Sequence, residues 1–194
     1  YGYARLAGLS AREGEQAIGI VQTNTLQQDR WQKDSQQEQL DRNLALSRDA
    51  FGRGARLVIW PEAAMQDYFQ EHMPESIPGL LGQTQGAIIA GAPRYTGSPG
   101  QYAFYNSAFL LDRSGVAAVH DKLHLLPFGE YFPLGFIDVL RLQFAGPRQY
   151  TEGQRYTVFT REAGAIAVLI CFEVIFPDLA RQFVKSGAGL LVTI

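Results

Sequence analysis

Three polar residues follow apolar, strand-like runs of this sequence. Glu62 comes after the run ARLVIW, Lys122 after the run GVAAVH and Cys171 after the run GAIAVLI. In α/β proteins, reactive groups tend to lie where strands end, because the strand holds the side chain while the loop admits substrate. A cysteine, a glutamate and a lysine at such positions can act as a nucleophile, a general base and a cation for a developing oxyanion.

Cys171 is the only cysteine, which excludes an intrachain disulfide and a multi-cysteine zinc site. An unperturbed thiol is mostly protonated at neutral pH, so a nucleophilic cysteine needs a base or a cation nearby. Glu62 can supply the base and Lys122 the cation. Taken singly, each residue also has a structural interpretation: a buried cysteine, a glutamate in the first turn of a helix, and a lysine paired with Asp121 at the surface.

The three histidines, His72, His120 and His124, lack a spacing typical of metal ligands. We interpret them as surface or loop residues. A cysteine–histidine dyad through His120 or His124 is an alternative. The acidic residues are scattered singly, with no EF-hand or P-loop pattern. The sequence therefore predicts no metal site and no organic cofactor.

The composition is that of a globular domain that can bury a core without disulfides. Seventeen basic and nineteen acidic residues among 194 give a net charge of -2, so no basic excess supports general binding to nucleic acid. No run approaches the roughly 18 apolar residues of a membrane-spanning helix.

The last run, GLLVTI, stops within a strand pattern. We therefore expect a piece of a longer polypeptide, with residues 1–16 a lead-in from a preceding region and residues 17–194 a truncated catalytic domain.

Apolar runs bounded by turn residues alternate with two amphipathic segments. We predict strands at 17–22, 55–60, 87–92, 102–111, 115–120, 155–159, 164–170 and 190–194, and helices at 34–53 and 177–186. This alternation predicts an α/β fold with buried sheets, and the hairpin signal around residues 112–115 makes the sheets mixed.

Three motifs carry a family resemblance: WPEAA, HDKLHLLPFGEYFPL and ICFEVIFP. In this order they resemble the nitrilase, or carbon–nitrogen hydrolase, superfamily, whose signature is a Glu–Lys–Cys triad. Within it they are similar to the apolipoprotein N-acyltransferase branch, and the resemblance runs from about residue 17 to residue 194. It implies that Cys171 is the nucleophile that takes the acyl group as a thioester, that Glu62 is the general base and that Lys122 stabilises the tetrahedral intermediate.

The same resemblance implies supporting roles for two further acidic residues, Glu130 of PFGEY and Glu173 of CFE, which would position the triad. Phe172 departs from the tyrosine that is usual after the cysteine, so a role of that hydroxyl is in doubt here. The backbone N–H of Phe172 stays available as an oxyanion donor.

The family fold implied is a four-layer αββα sandwich of two mixed sheets flanked by helices, here incomplete at its C-terminal end. The implied reaction moves a fatty acyl chain from a phospholipid to the N-terminal amine of diacylglyceryl-cysteine on bacterial apolipoproteins. The implied location is the inner membrane, with this domain facing the periplasm and with the membrane reached through parts outside this chain. Two alternatives stay open: a soluble amidase with the same triad and water as acceptor, and a non-catalytic binding domain.

Overall fold

The computed structural model describes residues 17–24, 33–132, 149–161 and 164–194. A five-stranded sheet has the order β1 (Ile18–Ile20), β2 (Leu57–Ile59), β3 (Ala87–Ser98), β4 (Gln101–Asp112) and β5 (Gly115–Asp121). A second sheet has the order β6 (Val158–Arg161), β7 (Gly164–Leu169) and β8 (Leu190–Thr193). The helices are α1 (Lys33–Gly52), α2 (Ser76–Gly82) and α3 (Pro177–Lys185), and a short 3-10 helix covers Cys171–Ile175.

Both sheets are mixed. Strands β1, β2 and β3 pair in parallel, whereas β3, β4 and β5 pair antiparallel. In the second sheet β6 pairs antiparallel with β7, and β7 pairs in parallel with β8. The carboxyl ends of β2, β5 and β7 carry the segments that contain Glu62, Lys122 and Cys171.

The buried side chains divide into three clusters, because successive residues of a strand point to opposite faces of its sheet. One cluster joins the two helices α1 and α2 to the five-stranded sheet, and includes Leu40, Leu44, Val58, Leu81, Ile88 and Phe109. The second lies between the sheets, and includes Leu57, Ile89, Leu110, Phe159, Ile166 and Val168. The third joins the smaller sheet to α3, and includes Ala167, Leu169, Leu179 and Phe183. The layers are therefore helix, sheet, sheet and helix, which confirms the predicted αββα sandwich.

Most of the predicted elements are present with shifted ends. The helix predicted at 34–53 is α1, and the predicted hairpin is formed by β4 and β5. Strand β3 is longer than predicted and forms a second, extended hairpin with β4. Helix α2 was not predicted, since its sequence SIPGLLG is poor in helix formers. The lead-in predicted for residues 1–16 lies outside the described residues.

Within the described residues, no helix has both the length and the apolar character needed to cross a bilayer.

Candidate active site

Glu62 is held by the turn that follows β2. The backbone N–H of Trp60 donates to the carbonyl of Ile89 at 2.8 Å, which extends the pairing of β2 with β3 up to the turn. The buried indole of Trp60 also donates a 2.8 Å hydrogen bond to the hydroxyl of Ser47 in α1. The backbone just before Glu62 is thus fixed to both the sheet and a helix.

Gly91 in β3 lets the Glu62 turn lie directly against the sheet. A Cβ atom at this position would be 2.9 Å from the Cα of Glu62 and 2.8 Å from the backbone nitrogen of Ala63. Real Cβ atoms are almost never found so close to backbone atoms, so any side chain here would displace the turn. Gly91 is therefore a positioning residue that the sequence reasoning did not identify.

Lys122 directly follows β5, and its side chain is only 1% exposed. Its backbone N–H donates to the carbonyl of Asn106 in β4 at 2.9 Å. Its Nζ lies 2.9 Å from the carboxylate of Glu130 and 3.8 Å from Oε1 of Glu62. A buried ammonium is stable only when it is paired, and here two carboxylates face it.

Glu130 is fixed from several sides. Oε2 accepts a 2.8 Å hydrogen bond from the backbone N–H of Leu126 in the same loop. The carbonyl of Glu130 accepts from the backbone N–H of Tyr150 at 2.9 Å. Because the loop is closed in this way, the carboxylate that pairs with Lys122 has a defined position.

Asn106 in β4 connects the two glutamates. Its Nδ2 donates to Oε1 of Glu62 at 3.0 Å and to Oε1 of Glu130 at 2.7 Å. One amide group therefore orients both carboxylates, each through a charge-assisted hydrogen bond. Sequence reasoning missed Asn106, although polar residues within the mostly apolar and aromatic run YAFYNSAFLL, namely Asn106 and Ser107, are a signal for buried polar contacts.

Cys171 begins the 3-10 helix after β7 and is solvent-exposed. Its φ of 53° is a left-handed conformation that costs a non-glycine residue free energy. Its backbone N–H donates to the carbonyl of Ile194 at 2.7 Å. The polar groups that act on the thiol are the carboxylate of Glu62, the ammonium of Lys122 and the backbone N–H of Phe172.

The surroundings raise the pKa of the Cys171 thiol above its usual range. Desolvation is the largest cause, and the negative charge of Glu62 is the next. Lys122 acts in the opposite direction, because an ammonium favours the thiolate. The Cys171 side chain is thus a neutral thiol close to a carboxylate, which is the arrangement that general base catalysis would require.

Glu173 is fully buried and joins the Lys122 segment to the Cys171 segment. Its Oε1 accepts from the backbone N–H groups of Leu123 at 2.6 Å and His124 at 3.0 Å. Its Oε2 accepts from the backbone N–H of Ile170 at 2.7 Å, as the third residue of a capping box does. Burial raises the pKa of this carboxyl group, although the three backbone hydrogen bonds oppose the rise.

The aromatic ring of Phe172 packs edge-on against Phe176, with centroids 5.0 Å apart. Phe176 in turn stacks against His124 at 4.6 Å.

His120 is fully buried against Phe183, so the prediction of a surface or loop position was wrong for this residue. The strand alternation of β5 turns its side chain inward, and burial lowers its pKa to about 4.

Backbone strain is concentrated around the site. Among the described residues, the non-glycine residues with positive φ are Asn24, Ala63, Phe128 and Cys171. Ala63 follows Glu62, and Phe128 lies in the loop that carries Glu130. Left-handed non-glycine residues persist where surrounding contacts hold them, and they cluster at active sites.

The structure thus brings Glu62, Lys122, Glu130 and Cys171 together, with Glu173 directly behind them. Their chemical roles stay predictions. Within the described ranges, no group of three or more histidine, cysteine, aspartate or glutamate side chains is placed to hold a metal ion.

The fold is an αββα sandwich, and a glutamate, a lysine and a cysteine follow the ends of its strands. The model of the carbon–nitrogen hydrolase family matches residues 17–194, so the chain belongs to the carbon–nitrogen hydrolase family. A carbon–nitrogen hydrolase from Helicobacter pylori superposes with a TM-score of 0.63 at 19% identity, over 91% of this chain and 58% of that one. An amidase from Nesterenkonia sp. superposes with a TM-score of 0.63 at 20% identity, over 96% and 67%. At such identities these structures show a common fold alone.

Curated relatives narrow the resemblance to one branch of that family. The apolipoprotein N-acyltransferase of Geobacter metallireducens is 34% identical over 91% of this chain and 35% of its own length. The apolipoprotein N-acyltransferase of Brucella suis is 30% identical over 98% of this chain and 38% of its own length. The chain therefore spans just over a third of the length of the curated relatives it matches, and it is similar to apolipoprotein N-acyltransferases along nearly all of its own.

Proposed function

We propose that this protein transfers a fatty acyl chain from a phospholipid to the N-terminal amine of a diacylglyceryl-cysteine, through a thioester on Cys171. The observation that carries the proposal is the similarity to curated apolipoprotein N-acyltransferases, at 34% identity over 91% of the chain for one of them. The cluster of Glu62, Lys122 and Cys171 supports it, because these groups are those that acyl transfer through a thioester needs.

In the first half-reaction, Glu62 takes the proton of the Cys171 thiol as the sulfur attacks an ester carbonyl of the phospholipid. The sulfur–carbon bond forms, and the carbonyl oxygen becomes an oxyanion that Lys122 and the backbone N–H of Phe172 stabilise. The carbon–oxygen bond to the glycerol then breaks, and Glu62 returns its proton to the leaving oxygen. The products are a lysophospholipid and an acyl thioester on Cys171.

In the second half-reaction, the α-amine of the diacylglyceryl-cysteine attacks the thioester carbonyl. The nitrogen–carbon bond forms and the sulfur–carbon bond breaks, so that an amide is released. Glu62 takes the proton from the amine and returns it to the sulfur, which restores the neutral thiol. Dividing ester-to-amide transfer in this way replaces one difficult step with two easier ones.

Exposed apolar side chains on the two loops around the site favour lipid substrates over a small amide. Phe128 is 56% exposed in the loop between Lys122 and Glu130, and Ile175 is 60% exposed just after the Cys171 turn. Leu126 and Val174 on the same two segments are exposed as well. Exposed apolar groups of this kind mark surfaces that meet a partner, a ligand or a membrane. The exposed apolar groups support a reaction at a membrane surface, and the similarity to apolipoprotein N-acyltransferases leads us to propose the periplasmic face of the bacterial inner membrane.

The test is product analysis with the full-length protein, a phospholipid carrying an isotope-labelled acyl chain, and a synthetic diacylglyceryl lipopeptide. The expected product is the lipopeptide with one labelled acyl group on its N-terminal amine, and the Cys171→Ala variant should form none. Labelled free fatty acid without acylated lipopeptide would mean that water is the acceptor, and would contradict the proposal in favour of a hydrolase.

A further inference from the structure

One face of strand β4 continues from the catalytic cluster to a group of aromatic side chains. Residues at alternate positions of a strand share a face, so Tyr102 and Phe104 lie on the face that carries Asn106. Each step of two residues advances about 7 Å along the strand. The aromatic group therefore begins, at Phe104, one such step from Asn106, which contacts both Glu62 and Glu130.

The aromatic group lines an open pocket of about 210 Å³. Its lining consists of four aromatic rings and one carboxylate: Tyr68, Glu71, Tyr95, Tyr102 and Phe104. Tyr95 lies edge-on to two neighbours, with centroids 4.9 Å from Tyr68 and 5.0 Å from Tyr102. We call this set the aromatic cage.

Polar contacts hold the aromatic cage in shape. The hydroxyl of Tyr95 donates a 2.6 Å hydrogen bond to Oε1 of Glu71. The side chain of Gln70 makes two hydrogen bonds to the backbone of Tyr95, at 2.8 and 3.2 Å. Tyr95 is also opposite Phe104 in the register of β3 and β4. The rings are therefore positioned by a sheet and by paired hydrogen bonds, which lowers the entropy lost when a ligand binds.

Rings grouped around a carboxylate are chemically suited to an organic cation. The faces of tyrosine and phenylalanine rings attract ammonium groups through their quadrupoles, and aromatic cages that recognise quaternary ammonium use this attraction. Glu71 adds a formal negative charge, and no lysine, arginine or histidine is among the lining residues. An anionic group would be repelled by Glu71, and a neutral group would gain nothing from its charge.

We propose that the aromatic cage binds the ammonium group of the donor phospholipid headgroup; this assignment rests on the proposed acyl transfer. In an ethanolamine or choline phospholipid, the ammonium is joined to the reacting ester only through the phosphodiester and the glycerol. It must therefore lie within one such linker of Cys171, and the aromatic cage begins two residues along β4 from Asn106, which contacts both carboxylates. A lysine side chain of the acceptor has no comparable fixed distance from its reacting amine.

The first test measures ammonium binding without turnover. Tetramethylammonium is titrated into the full-length protein in detergent, and the tyrosine ring resonances are followed by NMR. We expect saturable shifts, and binding weaker by about 3- to 30-fold in Tyr102→Ala, which removes one ring face. Tyr102→Phe keeps the ring and should keep the binding, and Tyr156→Ala alters an exposed tyrosine outside the aromatic cage as a control. Shifts that do not saturate, or equal affinity in Tyr102→Ala, would overturn the site.

The second test identifies the source of the ammonium. Acylation of Cys171 is measured with ethanolamine, choline and glycerol phospholipids that carry the same acyl chains. We expect a higher kcat/KM for the two ammonium donors, and a loss of this preference in Tyr102→Ala. If Tyr102→Ala instead raised only the KM of a lysine-containing acceptor, the headgroup assignment would be wrong. Failure of every donor to acylate Cys171 would contradict the proposed function and the headgroup assignment, while the tetramethylammonium titration would still decide the site itself.

Discussion

Asn106 is expected to control the rate at which Cys171 is acylated, because its amide orients the carboxylate that we propose takes the thiol proton. Its Nδ2 lies 3.0 Å from Glu62 and 2.7 Å from Glu130. In Asn106→Ala both hydrogen bonds are lost, and the Glu62 carboxylate is free to turn toward Lys122 or solvent. The side chain itself does not take part in the proton transfer, so this variant tests positioning alone.

The size of the effect follows from the strength of these bonds. A hydrogen bond to a charged group contributes roughly 1.5–3 kcal/mol. Since each 1.4 kcal/mol of activation free energy is about a factor of ten, loss of the bond to Glu62 should slow acylation by about 10- to 150-fold. The bond to Glu130 is coupled to the first through the same amide, so we do not add its contribution.

The assay is a rapid-quench time course of the mass increase of the intact protein after a phospholipid donor is added. Asn43→Ala is the matched control, because it truncates another buried asparagine, in α1 on the far side of the sheet from Cys171. Thermal unfolding of both variants separates a loss of rate from a loss of fold. Wild-type acylation rates in a folded Asn106→Ala protein would refute the reasoning.

Three other perturbations have expected outcomes. Glu62→Gln removes a negative charge that raises the pKa of the Cys171 thiol, so alkylation of Cys171 by iodoacetamide at neutral pH should become faster while acylation by lipid is lost; slower alkylation would contradict this account. Glu173→Gln turns an amide toward the backbone N–H of Ile170, and urea unfolding should show a loss of about 1–3 kcal/mol, whereas unchanged stability would show that the contact is unimportant. His120 has a pKa of about 4 in the fold against about 6.5 when unfolded, so the unfolded state binds more protons between these values and stability falls as the pH falls through them. His120→Phe should abolish up to about 3 kcal/mol of this acid sensitivity in unfolding measured from pH 7 to pH 4, and an unchanged pH profile would exclude His120 as its source.

The positions of the triad residues could be predicted because each follows an apolar run that is long enough to identify a strand. Glu62, Lys122 and Cys171 stand at such ends, and the order of their motifs carried the family resemblance. Their proximity could not be predicted, because it depends on how β2, β5 and β7 pair across two separate sheets. Sequence separation carries no information about that pairing.

Asn106 and Gly91 show what the pattern of residue types conceals. Asn106 lies in a strand and looks like one polar position among several, and only the register of β4 turns its amide toward two carboxylates. Gly91 lies inside the run AIIAGA, where a small residue suits a buried strand for ordinary packing reasons. The turn that lies against Gly91 leaves no room for a side chain, and this turn is a tertiary contact that the local sequence does not reveal.

The outer half of β3 was missed for a local reason. Pro93 and Gly97 are residues that usually end strands, so the prediction stopped at residue 92. In the structure Pro93 pairs with Asn106, and the strand continues to Ser98 because Tyr95 and Phe104 pack across the hairpin. Helix α2 was missed in the same way, since burial of Ile77, Leu80 and Leu81 outweighs its weak helix propensity.

The most direct test of the central claim is a search for an acyl thioester on Cys171 when a phospholipid donor is present and the acceptor is withheld. The full-length protein is incubated with donor, digested and analysed by mass spectrometry before and after treatment with neutral hydroxylamine, which cleaves thioesters. We predict one acyl chain on the peptide that contains Cys171, removed by hydroxylamine and absent in Cys171→Ala and Glu62→Gln. An acyl chain attached elsewhere, or no acylated peptide while the lipopeptide is still acylated, would contradict the account.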